Sequence, residues 1–329
     1  MNAPAVSIII PCYNEEATIR LLLEAIVLQT FPHEEIEVLI SDGLSTDRTR
    51  QEITAFQTSH PGIDIRILDN VRRTIPAGLN IAIQAASGEY IVRLDAHSRP
   101  YPDYVERCIK ALREGKGDNV GGVWEIQPGG QNWISRSIAA AAAHPMGVGD
   151  AYYRVGGEAR AVDTVPFGAY RRSLIERAGI YDESLLTNED YELNVRIRKM
   201  GGVVWLDPRI RCVYYARPTL SALARQYFRY GYWKGKMLQR YPGTIRWRQL
   251  LPPLFVLSLL FMGAAAIFIP LMFAMLALVL AVYFLTMILF GISTALKKDD
   301  LSLIIGFPLA VATMHLSWGS ALLWSLIAR

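Results

Sequence analysis

Hydrophobic and polar positions divide this chain into two stretches. Through the first two hundred residues short apolar, β-branched runs alternate with segments of helical period, and from Leu250 onward apolar residues run almost unbroken. Val6 to Ile10 has the pattern of a strand buried on both faces of a parallel sheet. It leads into Pro11-Cys12-Tyr13-Asn14-Glu15-Glu16, where Asn14 is placed as a helix N-cap with two carboxylates in the first turn. Ile19, Leu22, Leu23 and Ile26 then repeat at helical spacing. Glu37 to Ser41 predicts a second strand, followed by a polar loop from Asp42 and a helix to about Phe56; Asp64 to Asp69 predicts a third strand, Ala77 to Ala86 a third helix and Glu89 to Leu94 a fourth strand. Strands alternating with helices at this spacing describe an α/β, mostly parallel, doubly wound sheet. Further on, Val120 to Ile126 reads as a strand, Trp133 to Ala143 as an Ala-rich helix, Gly147 to Gly157 as a turn-prone lid or surface loop, and Tyr191 to Met200 as a helix.

The apolar stretch changes the picture. From Leu250 the only charged residues are Lys297, Lys298, Asp299, Asp300 and Arg329. A bilayer core needs about 20 apolar residues in a helix, which predicts three spans at 250–269, 271–295 and 301–327, with Pro270 breaking the first from the second. The chain thus divides into a soluble domain at 1–218, an interfacial amphipathic segment at 219–248 and a transmembrane domain at 249–329. His315 and Trp318 in the last span are assigned to helix packing.

Charge sets orientation and excludes one class of partner. Ten basic and no acidic residues lie in 209–248, and Lys297 and Lys298 in the loop between the second and third spans. The positive-inside rule then puts the large domain and that loop in the cytoplasm, and the chain in the cell's inner, cytoplasmic membrane as a multi-pass protein. Residues 1–208 carry 21 basic and 28 acidic side chains, a net of −7, against +10 for 209–248. An acidic body with one basic collar beside a span points to anionic lipid headgroups and not to nucleic acid. Cys12, Cys108 and Cys212 form no paired motif, as expected in a reducing cytoplasm. The Met1-Asn2-Ala3-Pro4 start has no basic segment leading into an apolar one, so no signal peptide is expected.

Candidate chemistry gathers at strand ends. In an open α/β sheet ligands bind beyond the carboxyl ends of the strands, where Asp42, Asp95 and His97 fall. Asp95 and His97, two apart, are able to reach one cation; the alternative is a strand-ending turn. Neither Gly-x-Gly-x-x-Gly nor a P-loop is present, so a nucleotide here has its base and ribose held by Pro11, Tyr13, Glu15 and Asp42 and its diphosphate through a metal. Glu189 and Asp190 open a helix, a placement that the macrodipole alone explains. In Leu220 to Tyr241 basic and aromatic residues alternate with apolar ones, the composition of a helix in the membrane interface.

Four motifs in order carry a resemblance: Ile-Ile-Ile-Pro-Cys-Tyr-Asn-Glu at 8–15, Ser-Asp-Gly-Leu-Ser-Thr-Asp-Arg-Thr at 41–49, Ala-Ser-Gly-Glu-Tyr-Ile-Val-Arg-Leu-Asp-Ala-His at 86–97 and Thr-Asn-Glu-Asp at 187–190. Together they resemble the motif set of family 2 glycosyltransferases with a GT-A fold, and with the apolar tail the chain is similar to bacterial exopolysaccharide glucosyltransferases of the succinoglycan type. The resemblance implies that Asp42 bonds the uracil of a UDP-sugar, with Pro11, Tyr13 and Glu15 around base and ribose. It places Asp95 near sugar and diphosphate, and either Arg72 or, by preference, Arg73 against the donor. His97 stands where the family has a second Asp, so Asp95 and His97 are the expected ligands of Mn2+ or Mg2+, and imidazole suits Mn2+ better. Asp190 becomes the general base, with Glu189 in support. Gln226-x-x-Arg229 resembles a Gln-x-x-Arg-Trp element that closes over donor diphosphate and acceptor; Tyr230 replaces the Trp, and Trp233 lies one turn on. The implied activity is inverting, metal-dependent transfer of a hexose, glucose from UDP-glucose, to a polyprenyl-diphosphate-linked saccharide in exopolysaccharide biosynthesis, with membrane lipids and other polysaccharide-assembly enzymes as partners. The rivals are a processive polysaccharide synthase, a transferase to polyprenyl phosphate or another lipid, and a membrane-anchored nucleotide-sugar-binding protein without activity.

Overall fold

The computed structural model describes residues 4–328. The first three residues, on which the leader expectation rests, and Arg329 lie outside the described residues. The chain forms two compact units: residues up to Glu125 with Gly156–Tyr214, and Ile126–Val155 with Tyr215 onward. The second unit therefore takes in a segment well ahead of position 218, including the Ala-rich helix and the Gly-rich stretch as far as Val155.

The first unit is built on β1 (Val6–Cys12), β2 (Ile36–Asp42), β3 (Asp64–Asp69) and β4 (Tyr90–Arg93). β1 pairs in parallel with β2 and β4, and β2 with β3. Val6, Ile8, Ile9 and Ile10 are fully buried, as a run apolar on both faces requires. Helices α1 (Ile19–Val27), α2 (Thr49–Ser59) and α3 (Ile75–Ala85) make the crossovers. At the amino ends of the strands the buried Glu37 carboxylate takes Ser7 Oγ at 2.6 Å and Ser87 N at 2.6 Å, and pairs with Arg66. It thus binds the starts of β1 to β4 together.

Beyond β4 the sheet is mixed, which the alternating pattern did not foretell. The short β5 (Arg99–Pro100), β6 (Asn119–Pro128), β7 (Arg160–Ala161), β8 (Ala169–Arg171) and β9 (Val204–Ala216) give the order β3-β2-β1-β4-β8-β6-β9-β5, with β7 on β9. The pairs β4–β8, β6–β8, β5–β9 and β7–β9 are antiparallel. Helix α4 (Tyr104–Arg113) follows β5 and buries Tyr104, Val105, Cys108, Ile109 and Leu112. All three cysteines are free and buried, and burial pushes the Cys12 and Cys108 thiols up.

In the second unit α5 (Trp133–Ala142) is followed by the single turns α6 (Pro145–Val148) and α7 (Tyr152–Val155), so the Gly-rich stretch is partly helical. After α8 (Arg172–Ala178) and α9 (Glu189–Lys199) of the first unit come α10 (Leu220–Arg240), α11 (Trp247–Ala265), α12 (Pro270–Lys298) and α13 (Leu303–Ile327). The last three are long and apolar enough to cross a membrane, by length and composition. Small residues let helices close on α13: Gly231 of α10 lies against the Trp318 carbonyl, Gly235 against Ser325, and Gly306 of α13 against Ser137 of α5. The buried stripe of α10, the helix that composition assigns to the membrane interface, packs on α13. His315 binds Tyr283 OH at 3.0 Å through Nδ1 and the Met146 carbonyl at 2.9 Å through Nε2, so both ring nitrogens staple helices together.

Candidate active site

Strand register decides what reaches the carboxyl rim of the first unit. Cys12 is level with Asp42 and Asp42 with Asp69, while Arg93 is level with Ile9 and Asp95 enters the loop just beyond β4. Because β8 runs antiparallel to β4, with Val92 opposite Ala169, the turn that leads into β8 lies at this same rim. Here the backbone is strained. Asn14, Leu44, Arg73, Phe167 and Asn188 all have positive φ, between 53° and 69°, in the loops after β1, β2 and β3 and ahead of β8 and α9. Left-handed conformations of bulky residues such as Leu44 and Phe167 are sparsely populated and gather at functional sites.

The centre of the rim is a residue to which the sequence reading gave no role. Arg93 ends β4 and is 2 % exposed. Its Nη2 donates to Asp95 Oδ1 at 3.1 Å and to Glu189 Oε1 at 2.9 Å, and its Nη1 donates to Asp190 Oδ1. One buried guanidinium therefore gathers the loop after β4 and the first turn of α9, and the three carboxylates lie within the reach of one side chain. The signal for it is a lone charge in an otherwise buried strand, Tyr-Ile-Val-Arg; a charge in that position is kept only if it is paired.

Asp190 sits in an unusual electrostatic setting. Burial pushes its carboxyl up to about 8; Glu189 and Asp95 push the same way, while Arg93 and the Phe167 backbone N–H pull it back. Three carboxylates against one cation leave an excess of negative charge, so a proton on Asp190 is held near neutrality. A base tuned close to the working pH combines a useful basic fraction with driving force for proton transfer.

Asp42, expected to face a nucleobase, is fully buried and turned into its own loop. Ser45 N donates to it at 3.0 Å, Ser45 Oγ and Arg50 Nε also bond it, and Arg50 reaches on to Asp69. Asn14 is not an N-cap, since α1 begins only after Thr18; its backbone N–H donates to Ser45 Oγ at 2.8 Å and its Oδ1 accepts from Thr46 N at 2.9 Å, tying the loops after β1 and β2. Tyr13 is exposed at the rim with the Arg73 guanidinium 5.9 Å from its ring centre, a face on which a flat ring can stack. Arg72 points elsewhere, paired with Glu183. Pro11 is the last but one residue of β1, level with Ser41.

His97 donates from Nδ1 to Glu15 Oε1 at 3.0 Å. Among the described residues no three His, Cys, Asp or Glu side chains converge to hold a metal by themselves. The donor set of Asp95 and His97, one carboxylate and one imidazole on one loop, nonetheless suits a divalent cation whose coordination is completed by diphosphate oxygens and water. Both Arg93 bonds to Asp95 fall on Oδ1.

The remaining expected residues lie on α10, in the second unit. Gln226 is buried and donates to Tyr230 OH at 3.0 Å, Arg229 is exposed, and Trp233 packs edge-on to Tyr232. The structure thus joins Gln226 to Tyr230 and leaves Arg229 facing away from the bundle.

A sheet with a parallel first half, an acidic loop after its fourth strand and carboxylates on a helix at the same rim is a GT-A-type arrangement, that of a glycosyltransferase. Residues 7–179 match the family described as Glycosyl transferase family 2, and the chain belongs to it. It is 32 % identical over 247 residues to the succinoglycan biosynthesis protein ExoA of Rhizobium meliloti, covering 74 % of this chain and 73 % of that protein. It is 30 % identical over 273 residues, 81 % of this chain and 84 % of the relative, to a dolichyl N-acetyl-α-D-glucosaminyl phosphate 3-β-D-2,3-diacetamido-2,3-dideoxy-β-D-glucuronosyltransferase of Methanococcus voltae. Among solved structures, a mannosyltransferase of Pyrobaculum calidifontis in complex with GDP-Man and Mn2+ superposes with a TM-score of 0.65 at 20 % identity, covering 95 % of this chain and 88 % of that one. The chain is a family 2 glycosyltransferase related to exopolysaccharide and lipid-linked sugar transferases, with three apolar helices at its C-terminal end.

Proposed function

We propose that the protein transfers a hexose, glucose from UDP-glucose, with inversion to a polyprenyl-diphosphate-linked saccharide at the cytoplasmic face of the inner membrane. The observation that carries this reading is the cluster of Asp95, Glu189 and Asp190 on Arg93, which sets a poised base beside a loop suited to a cation. Asp190 takes the proton of the acceptor hydroxyl as its oxygen bonds the anomeric carbon from the face opposite the diphosphate. The bond to the diphosphate breaks, and the leaving group departs with the electron pair. Asp95 and His97 would hold a divalent cation, which supplies charge balance on the departing diphosphate. Arg93 aims Asp190, and Glu189 shares the guanidinium so that Asp190 is not neutralised outright. Tyr13 and Arg73 stack the base.

A sugar-nucleotide donor is supported by fold neighbours determined with UDP and with GDP-Man and Mn2+. A membrane-delivered acceptor is supported by the three apolar helices and by the Methanococcus relative, whose name specifies a dolichyl-phosphate-linked sugar. The same relative favours one second reading, an acceptor carried on a polyprenyl monophosphate. A cytoplasmic first unit is supported by the basic residues of 209–248 and of the Lys297 loop, through the positive-inside rule.

The test incubates the purified full chain in detergent with radiolabelled UDP-glucose, UDP-galactose or GDP-mannose and a membrane lipid extract, with and without Mn2+. Label from UDP-glucose entering the lipid fraction one sugar at a time, only with metal and with an inverted anomeric proton by NMR, is the expected result. A ladder of polymer, transfer without metal, or label from GDP-mannose alone would overturn it.

A further inference from the structure

Glu15 does more at this rim than its place in a nucleotide-binding loop suggests. Its Oε1 accepts from Nδ1 of His97 at 3.0 Å, and its Oε2 accepts from Thr18 Oγ1 at 2.5 Å, the residue that precedes α1. Its backbone N–H donates to Thr49 Oγ1 at 2.7 Å, and that hydroxyl in turn donates to Asp47 at 2.6 Å. The carboxylate is thus tied to Thr18 through one oxygen and to His97 through the other, on a backbone that Thr49 fixes.

A carboxylate accepts only, so the proton of this bond belongs to His97 Nδ1, and in the neutral ring the lone pair lies on Nε2. A ring held in that tautomer, with a carboxylate behind it, is the arrangement in which an imidazole is aimed at a metal and made more basic. His97 needs such a partner more than an Asp would. Its side chain is 41 % exposed on a loop, where an unsupported ring would turn about its bonds and offer either nitrogen.

We propose that Glu15 is the positioning residue of the cation site: held by Thr18, it fixes His97 with Nε2 toward the cation, and it is this pair that lets an imidazole stand in place of a second carboxylate. The inference rests on the metal-dependent reading above and extends it to a residue outside the coordination shell.

The experiment titrates Mn2+ into the full chain in detergent with saturating UDP, followed by electron paramagnetic resonance, and measures UDP affinity separately without metal. Glu15→Ala and His97→Ala are each expected to weaken Mn2+ binding by about 10- to 100-fold, with metal-free UDP affinity unchanged. Thr18→Val is expected to weaken it less and in the same direction. In a His97→Asp background Glu15→Ala is expected to change nothing, because a carboxylate ligand needs no ring partner. An equal loss in that background, or a fall in metal-free UDP affinity, would show Glu15 acting on the nucleotide or the fold and would overturn the inference. Loss of Mn2+ affinity in His97→Ala but not in Glu15→Ala overturns this inference alone. Unchanged affinity in His97→Ala removes the metal reading itself, and the inference with it.

Discussion

Arg93→Met puts the carboxylate cluster to its sharpest test. The substitution keeps most of the apolar stem and removes a guanidinium that is 2 % exposed and bonded to Asp95, Glu189 and Asp190. Removing one partner of a buried ionic cluster costs about 3 to 5 kcal/mol, because the charges left behind lose their counterion and are only partly reached by water. For a unit of this size that is a fall in melting temperature of about 6 to 20 °C. The loss also has a pH signature. Asp190 already titrates well above its unfolded value, at about 8, through burial. Without Arg93 the charge that pulls the Asp190 carboxyl down is gone, while burial and the neighbouring Glu189 and Asp95 still push it up. A carboxyl raised on folding favours the folded state while it is protonated, below its unfolded pKa, and that advantage is lost as pH rises through the folded value. The Arg93→Met deficit should therefore be small near pH 4.5 and largest above pH 8, by these unfolded and folded values. Scanning calorimetry of the full chain across that range, with hydrogen exchange of peptides covering β4 and α9, reads both effects. A variant that melts with the wild type at pH 8, or a deficit that does not change with pH, would show that Arg93 does not hold these carboxylates.

Three further outcomes are expected. Asp190→Asn should lower the turnover number by about 10²- to 10⁴-fold with UDP affinity kept, and the wild-type turnover should rise with pH and level above about 8, since the active form is the carboxylate; radiometric transfer assays and UDP titration measure both. His97→Asp should keep transfer but move the Mn2+/Mg2+ preference toward Mg2+, read from activity in each metal. Glu37→Gln should destabilise by about 1 to 3 kcal/mol in denaturant titrations. Although burial pushes the Glu37 carboxyl up, bonds from Ser7 and Ser87 and the Arg66 charge hold it below its usual range. Its contribution is therefore present at neutral pH and lost as pH falls through the folded value, so the wild-type advantage should shrink in acid.

Much of the first unit was legible because its information is local. The buried runs at Val6–Cys12 and Ile36–Asp42, the loop Asp42 to Asp47, and the carboxylates opening α9 follow from periodicity and from residue types at strand and helix ends. The apolar tail was read for the same reason, since a span of hydrophobic helix needs no partner to declare itself. The antiparallel strands β5, β7, β8 and β9 were missed: two or three residues of β5, β7 and β8 carry no period, and β9 mixes charges with apolar residues along thirteen positions.

What the sequence determined by itself was the alternation of strands and helices, the acidic and imidazole residues placed at strand ends, and the three apolar helices, all set by spacing along the chain. What only the tertiary structure decided was which of those residues meet. Arg93 and Asp190 are 97 positions apart and His97 and Glu15 are 82 apart; Asp42 turns inward because Ser45 and Arg50 close on it; Ile126–Val155 joins α10 to α13 because small residues there allow helices to touch. Contacts of this kind depend on strand register and on where a buried charge finds its counterion, and neither is written in the residues next to it.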